Sequence, residues 1–480
     1  MVDFNLLYKN THKSSKNGGT VMARNDEKTY GASAQKLASI FDCGTFVELG
    51  AYTRRADAES ELESVACGYG AINGKLAFAF AQDTKRMKGA FGERHAKKIE
   101  NLYSLAVKNG APVIAVFDSA GAVVYDGAAA LAAYGRVMKC VSDASGIIPQ
   151  IAIIDGACGG ACAALAAMFD FTITIKGVSK LYVNSPFIVG ENAGTAEFAA
   201  KHGTSAYAAS DAAEAYGFAK TLVALLPANN VDGAFAEDND DMNRKVAFDA
   251  TSYKSDELVA LLSDNGVFVK LFADYAKNAT LGFASFGGVT VGVVASNPEN
   301  KGILDIRAAR AISKLVAFCD GFSIPVLTLV DSEGLDVSAE AEEAAYASEL
   351  ARLAYAYTTA ENAKLTVVLG KAYGAAFTLL GSKSIGADMA LALPDAAISV
   401  LSPEASVAFV WNDKVGEKNR EELEAEWKEK CASAENALAL GEIDDIVEPA
   451  ELRQRICAAF AMLASKAEGA PLRRHANMPL

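Results

Sequence analysis

Four histidines in 480 residues, His12, His95, His202 and His475, are too few and too scattered to complete a zinc pattern with the eight cysteines. Those cysteines (Cys43, Cys67, Cys140, Cys158, Cys162, Cys319, Cys431 and Cys457) form no Cys-x-x-Cys pair. No metal site is expected; reduced, buried thiols of a cytoplasmic protein are. The first thirty residues carry Lys9, Lys13, Lys16 and Arg24 but no apolar run of the secretory kind. No stretch reaches the ~18 uninterrupted apolar residues of a membrane-spanning helix, so any membrane association is expected to come through a partner. Basic charge is in deficit: the formal net charge is -14, which argues against a nucleic-acid binder. A Gly-x-Ser-x-Gly elbow is absent, so Asp118-Ser119 and His95 do not read as a serine hydrolase.

With 51% hydrophobic and 22% charged residues, the composition is that of an ordinary globular chain of two to four domains. The chain is organised around two glycine turns. Asp155-Gly156-Ala157-Cys158-Gly159-Gly160-Ala161-Cys162 follows the apolar run Ile151–Ile154, and Gly370-Lys371-Ala372-Tyr373-Gly374-Ala375-Ala376-Phe377 follows Leu365–Leu369. Each leads into apolar residues at helical spacing, so both read as strand, turn, helix. Small residues let a ligand approach the backbone there, where the first helical amides lack intrahelical acceptors. Each turn on its own is equally readable as tight helix–strand packing.

Taken in order, the pattern predicts an arm over 1–30, a helix over Ala34–Phe41 and a strand over Gly44–Leu49. A hairpin turning at Asn73-Gly74, a basic helix over Glu93–Asn109 and a buried strand over Val113–Phe117 follow. A helix from about Gly127 to Ser142 then leads to the first turn. The second half repeats this order: hairpin at Gly287-Gly288, helix at Ala308–Cys319, strand at Ile324–Val330 ending in Asp331-Ser332. Asp118 and Asp331 stand 213 residues apart, and the glycine turns 215 apart if Gly159 is matched with Gly374. A shared register across strand, helix, strand and turn indicates internal duplication of an α/β domain. The expected domains are 31–235 and 236–480, joined by the Asn/Asp-rich segment from about Pro227 to Ser255. Helices over Glu417–Lys430 and Ala450–Lys466 close the chain, followed by a tail from Pro471.

Several landmarks share their order and spacing with one family. They are Gly92-Glu93-Arg94-His95-Ala96-Lys97-Lys98-Ile99, Gly146-Ile147-Ile148-Pro149-Gln150, Leu225-Leu226-Pro227-Ala228-Asn229-Asn230, Phe318–Pro325, Gly370–Gly374 and Asn477-Met478-Pro479-Leu480. On these the chain resembles the carboxyltransferase subunits of biotin-dependent acyl-CoA carboxylases and sodium-pumping acyl-CoA decarboxylases. The resemblance implies two tandem crotonase-type domains (ββα superhelices of the ClpP/crotonase kind), with the acyl-CoA side in the first and the biotin side in the second. It also implies carboxyl transfer between a malonyl- or methylmalonyl-CoA type thioester and biotin on a separate carrier protein, most directly in a decarboxylase complex. An acetyl- or propionyl-CoA carboxylase and a non-catalytic scaffold for a carrier complex are the alternatives. The implied partners are the carrier, a membrane-embedded decarboxylase subunit or a biotin carboxylase, and further copies of the chain, from dimer to hexamer.

Carried over residue by residue, the resemblance sets the thioester oxygen at the amides of Gly160 and Ala161 and the biotin oxygen at those of Ala375 and Ala376. Gly159, Gly374, Ser119, Gly121 and Thr378 would contact substrate. Arg86, Lys88 and Arg94, in the basic cluster with Lys85, Lys97 and Lys98, would hold the CoA phosphates; a solvated helix face is the other reading of that cluster. The segments Ser119-Ala120-Gly121-Ala122-Val123 and Gly334–Glu340 depart from the usual pattern of the family, and Thr378 stands where many propionyl-type relatives have Asp. Met138-Lys139 falls inside an expected helix, so biotin is expected on another chain. A hydratase or isomerase of crotonase type would need a Glu pair facing the first turn, and no Glu lies close to either turn in sequence.

Overall fold

Strands wholly buried on both faces, alternating with one-sided helices, force crossovers that cover a parallel sheet. The computed structural model of the chain describes residues 31–55, 61–190, 192–235, 240–416 and 418–467; the expected N-terminal arm and the tail from 468 lie outside them. It contains two units, residues 31–198 with 208–224, and 199–207 with the chain from 225. The sequence reading set that division at 235/236.

In the first unit, helix α1 (Ala32–Ile40) precedes β1 (Val47–Leu49) and the hairpin β2 (Val65–Ile72) and β3 (Lys75–Gln82). Helix α2 (Glu93–Asn109), β4 (Val113–Ser119), α3 (Ala128–Ala144), β5 (Gln150–Gly159), α4 (Ala161–Ala167), β6 (Phe171–Ile175), β7 (Lys180–Tyr182), β8 (Tyr207–Ala209) and α5 (Ala212–Leu225) follow. The sheet order is β1-β2-β3-β4-β5-β6-β8, with β7 beside the far end of β5. Helix α2 begins and ends where the sequence places it; Gly110, left-handed at φ 57°, stops it. Strand β1 is shorter than expected because Gly44 (φ 75°) turns the chain and the Thr45 amide donates to the Asp42 carbonyl at 3.0 Å.

The second unit has β9 (Phe268–Leu271), the hairpin β10 (Ala279–Phe286) and β11 (Val289–Ser296), α6 (Ile306–Gly321), β12 (Val326–Ser332) and α7 (Tyr346–Thr359). Then come β13 (Lys364–Tyr373), α8 (Ala375–Leu379), β14 (Met389–Ala392), β15 (Ala397–Ser399), β16 (Asp445–Ile446) and α9 (Leu452–Leu463). Its order is β16-β14-β13-β12-β11-β10-β9, with β15 beside the end of β13. The helix expected from Glu417 starts at Arg420, capped by Asn419, and loosens into a π-helical turn over Lys428–Ala432; Glu417 is outside the described residues.

The duplication extends to single hydrogen bonds. At one hairpin turn Asp42 accepts the amides of Asn73 (3.1 Å) and Gly74 (2.9 Å); at the other Asp264 accepts those of Gly287 (3.1 Å) and Gly288 (2.9 Å). The Phe78 amide donates to the Pro112 carbonyl at 2.9 Å, and the Gly292 amide to Pro325 at 2.8 Å. These two residues hold one register, but their side chains differ. Gly292 leaves room for a thiol, since a Cβ there would lie 2.3 Å from Cys319 Sγ. In the second unit Arg453, fully buried, ties α9 to the core through Asp264 (2.7 Å) and the Leu262 carbonyl (2.6 Å).

Candidate functional site

Both glycine turns arise in the same way. Strand β5 ends against β7 (Gly159 opposite Tyr182), and β13 ends against β15 (Tyr373 opposite Ser399). The next residue caps a helix in a conformation that only glycine adopts readily: Gly160 at φ 61°, ψ -127°, and Gly374 at φ 62°, ψ -151°. The structural match is therefore Gly160 with Gly374, one residue off the Gly159–Gly374 alignment. The same bulge stands in both strand pairs, between Phe117 and Ser119 and between Val330 and Ser332, and Ile154 corresponds to Val368 just as Gly160 does to Gly374, so β5 and β13 keep one offset throughout.

This geometry decides which amides are open. Gly160 N–H donates to the Tyr182 carbonyl at 2.9 Å, and Gly374 N–H to the Ser399 carbonyl at 3.0 Å. The expected donor Gly160 is thus engaged, and the first helical amides at this turn are those of Ala161 and Cys162. At the other turn they are those of Ala375 and Ala376, the pair named from the sequence. In both, the first helical residue is exposed and the second buried. Gly159 lies under the Tyr182 ring, 2.7 Å from where its Cβ would stand.

Behind each turn a carboxylate fixes the strand end. Asp118 accepts the Ala157 amide at 3.2 Å, and Asp331 the Lys371 amide at 2.9 Å. A Cβ on Gly156 or Gly370 would collide with that carboxylate, at 2.0 and 2.7 Å. The loop beyond is also paired: Ser119 Oγ accepts the Gly121 amide at 3.1 Å, and Ser332 Oγ that of Gly334 at 3.2 Å. Ser119, expected at the substrate, is buried and shapes this loop. Lys88 and Lys301 sit left-handed at φ 51° and 58°, their carbonyls accepting the Ala120 and Glu333 amides.

Side chains distinguish the halves. In the first, Lys36 Nζ lies 2.6 Å from Asp155 and 3.8 Å from Asp118, and Tyr216 donates to Asp155 at 2.7 Å. Burial raises the Asp118 carboxyl above its usual range, opposed by the Ala157 amide and Lys36. In the second, Tyr253 donates to Asp331 at 3.1 Å, and Glu333 sits 2.7 Å from Lys371 and 3.5 Å from Lys301. The bond to Lys371 lowers the Glu333 carboxyl. Glu333 and Lys371 stand where the first half has Ala120 and Ala157, so that difference was visible in the sequence. Tyr216 and Tyr253 come from distant segments without a repeating pattern and gave no signal.

The basic cluster separates. Arg94, Lys97 and Lys98 line a cavity of about 350 Å³ with Leu49, Gly50 and Thr53. Arg94 donates to the Arg54 and Arg55 carbonyls (2.9 and 3.0 Å), Lys97 pairs with Glu93, and Lys98 reaches the Val65 carbonyl at 2.6 Å. Arg86 lies 3.6 Å from Asp83. Lys88 is exposed, beside Gly89, whose backbone packs on the Asp118 carbonyl. Thr378 is exposed on α8. His95 is fully buried, with Nδ1 3.0 Å from Ser64 Oγ and Nε2 3.4 Å from Gln82, away from any nucleophile role with Ser119. Among the described residues no group of His, Cys, Asp and Glu could hold a metal ion, and no helix is long and apolar enough to cross a membrane.

Comparison with known proteins agrees with this architecture. The family model "Carboxyl transferase domain" matches residues 31–478. Methylmalonyl-CoA decarboxylase subunit alpha of Veillonella parvula is 33% identical, over 93% of this chain and 92% of its own. The propionyl-CoA carboxylase beta chain of Saccharopolyspora erythraea is 30% identical, over 99% and 95%. Among solved structures, the transcarboxylase 12S hexamer core, with methylmalonyl-CoA and methylmalonic acid bound, superposes with a TM-score of 0.87 at 30% identity, covering 93% of this chain and 92% of that one. With its two crotonase-type units and paired turns, this chain belongs to the carboxyl transferase domain family.

Proposed function

We propose that the protein is the carboxyltransferase subunit of a biotin-dependent acyl-CoA decarboxylase, acting on a malonyl- or methylmalonyl-CoA type thioester. The observation that carries this is the pair of turns with matched backbone and open helical amides, Ala161 and Cys162 in one half, Ala375 and Ala376 in the other. Cleaving the bond between the α-carbon and its carboxyl group sends the electron pair toward the thioester oxygen. Ala161 and Cys162 meet that charge with fixed N–H donors, and each such donor contributes ~3–4 kcal/mol of barrier reduction. Biotin, on a separate carrier protein, supplies the nitrogen that takes the carboxyl group. The residues of the second turn fit its ureido oxygen, a neutral acceptor, because Ala375 and Ala376 offer amides and no competing carboxylate. Lys88, exposed beside the first turn's supporting loop, suits the CoA phosphates, whereas Arg94, Lys97 and Lys98 are held by the Arg54 and Arg55 carbonyls, Glu93 and the Val65 carbonyl.

Relatives of decarboxylase and carboxylase type are about equally similar to this chain, so an acetyl- or propionyl-CoA carboxylase is the second reading. In either complex the partners are the biotin carrier, a membrane-embedded subunit or a biotin carboxylase, and further copies of the chain up to a hexamer, placing it in the cytoplasm or at a membrane through its partner. The test is transfer of a 14C-carboxyl group from labelled malonyl- or methylmalonyl-CoA to biotin or a biotinylated carrier. Transfer is expected from at least one thioester. CoA binding without transfer from any would replace the enzyme by a scaffold of the carrier complex.

A further inference from the structure

The second unit has a cavity of about 660 Å³ at the end of its strands away from the α8 turn, a volume in the range of small-molecule sites. Its wall is apolar, from Val289, Pro325 and Ala363 at the starts of β11, β12 and β13 and from Phe460 and Leu463 on α9. Strand β13 runs ten residues from there to Tyr373, about 30 Å of extended chain. An occupant of this cavity is therefore not a substrate at the turn.

The duplication shows which of its residues the fold does not require. Two backbone hydrogen bonds align the units at this end. The Val113 amide donates to the Pro149 carbonyl as Val326 does to Ala363 (3.0 and 2.8 Å), and Gly110 donates to Val107 as Ser323 does to Asp320 (3.2 and 3.1 Å). On that alignment the first unit has Val107, Gly110, Ile147 and Ile148 where the second has Asp320, Ser323, Glu361 and Asn362. All four of the second-unit residues line the cavity. Two of these replacements are unfavourable for the fold alone. Ser323 is held left-handed at φ 53°, where Gly110 adopts φ 57° with no side chain to strain. Asn362 is 7% exposed, and its Nδ2 is committed to the Ile324 carbonyl at 2.6 Å, which fixes the amide and leaves the buried Oδ1 without a donor. Buried acceptors of this kind are rare in native folds and call for an explanation.

We propose that this cavity binds an organic ammonium ion with an apolar body, its N–H donors meeting Asn362 Oδ1 and the Glu361 carboxylate and its body lying against Phe460 and Leu463. The charge of the lining selects the cation. Glu361 is exposed and has no partner among the described residues, and Asp320, although it accepts the Glu361 and Asn362 amides at 2.7 and 3.4 Å, adds a second negative charge. The lining cation, Lys466, does not oppose a like charge, because it is held by Asp388 at 2.9 Å and by the Asn362 carbonyl at 3.0 Å. An anion of the same shape would meet two carboxylates, and a neutral ligand would leave both without a counter-charge. The assignment stands apart from carboxyl transfer and does not depend on its substrate.

Calorimetric titration of the full chain with tryptamine, tryptophol and indole-3-propionate tests this, since the three share one ring system and differ in charge. Tryptamine is expected to bind once per chain with a Kd of about 0.1 mM, at least about tenfold tighter than tryptophol, and indole-3-propionate not to bind. No binding of tryptamine at about 5 mM, or equal affinity for tryptophol, overturns the proposal, and this comparison needs no variant. Glu361→Ile and Asn362→Ile, which install the residues of the first unit, should weaken tryptamine about fivefold and about tenfold, while saturating CoA leaves its affinity unchanged. Wild-type affinity in both folded variants, or displacement by CoA, puts the amine elsewhere and overturns the assignment to this cavity.

Discussion

Replacing Ala161 by proline separates the chemistry of the first turn from its folding. Ala161 is the first residue of α4, directly after Gly160, and is exposed. Proline is well tolerated at that helical position, because its fixed φ matches and the missing N–H has no intrahelical acceptor. Ala161→Pro therefore deletes one donor aimed out of the turn and little else. If that amide meets charge developing on the thioester oxygen, kcat for carboxyl transfer should fall by about 10²–10³, or ~2.7–4 kcal/mol, while the melting temperature stays near that of wild type. Gly160→Val, by contrast, forces a branched side chain to φ 61° and confounds activity with strain. Ala161→Gly keeps the N–H and should retain kcat within about threefold. The twin change, Ala375→Pro on α8, should depress transfer to biotin equally. The assay is labelled-carboxyl transfer with kcat and KM resolved for each substrate. A folded Ala161→Pro protein with wild-type kcat refutes the role given to this amide.

Two further outcomes follow from buried charges. Burial, and then the charge of Lys98, push the His95 imidazole down to about 3. The unfolded chain binds a proton near pH 6.5 that the folded chain refuses until about 3, so stability falls as pH drops through that window, by about 1.4 kcal/mol per unit. Urea unfolding at pH 6.5 and 5 should show a loss of about 2 kcal/mol that His95→Gln removes; an unchanged acid limb contradicts it. Arg453→Met leaves the buried Asp264 carboxylate without its cation, and should cost about 3–5 kcal/mol in guanidinium chloride unfolding. A loss under about 1 kcal/mol would mean that Ser285 and the Gly287 and Gly288 amides satisfy Asp264 by themselves.

Much of the fold was legible because its signals are local. Asn73-Gly74 sets a hairpin, Gly110 ends α2, and the apolar runs at Val113 and Ile151 are those of strands covered on both faces. The duplication was legible because Asp118-Ser119 recurs at Asp331-Ser332. What escaped depends on backbone partners chosen across the sheet. The Gly160 amide is taken by the Tyr182 carbonyl, which no local pattern announces, and this leaves Ala161 and Cys162 as the first helical amides of that turn. Arg94 is charged in the sequence, but its guanidinium faces the carbonyls of Arg54 and Arg55. The match of Phe46-Val47 with Phe268-Val269, whose groups crowd Gly68 and Gly282 alike, was hidden by intervening loops of different length.

Two hairpins of the same register in one polypeptide also pose a problem of folding fidelity. Exchange between like domains is a common route to misassembly in duplicated chains. The pair Phe78 and Gly292 discriminates between them. A first-half hairpin docked on the second-half helix would drive the Phe78 ring into the space of the Cys319 thiol, 2.3 Å from the Cβ position of Gly292. The glycine and the thiol that fills its place thus make the two hairpins sterically non-interchangeable.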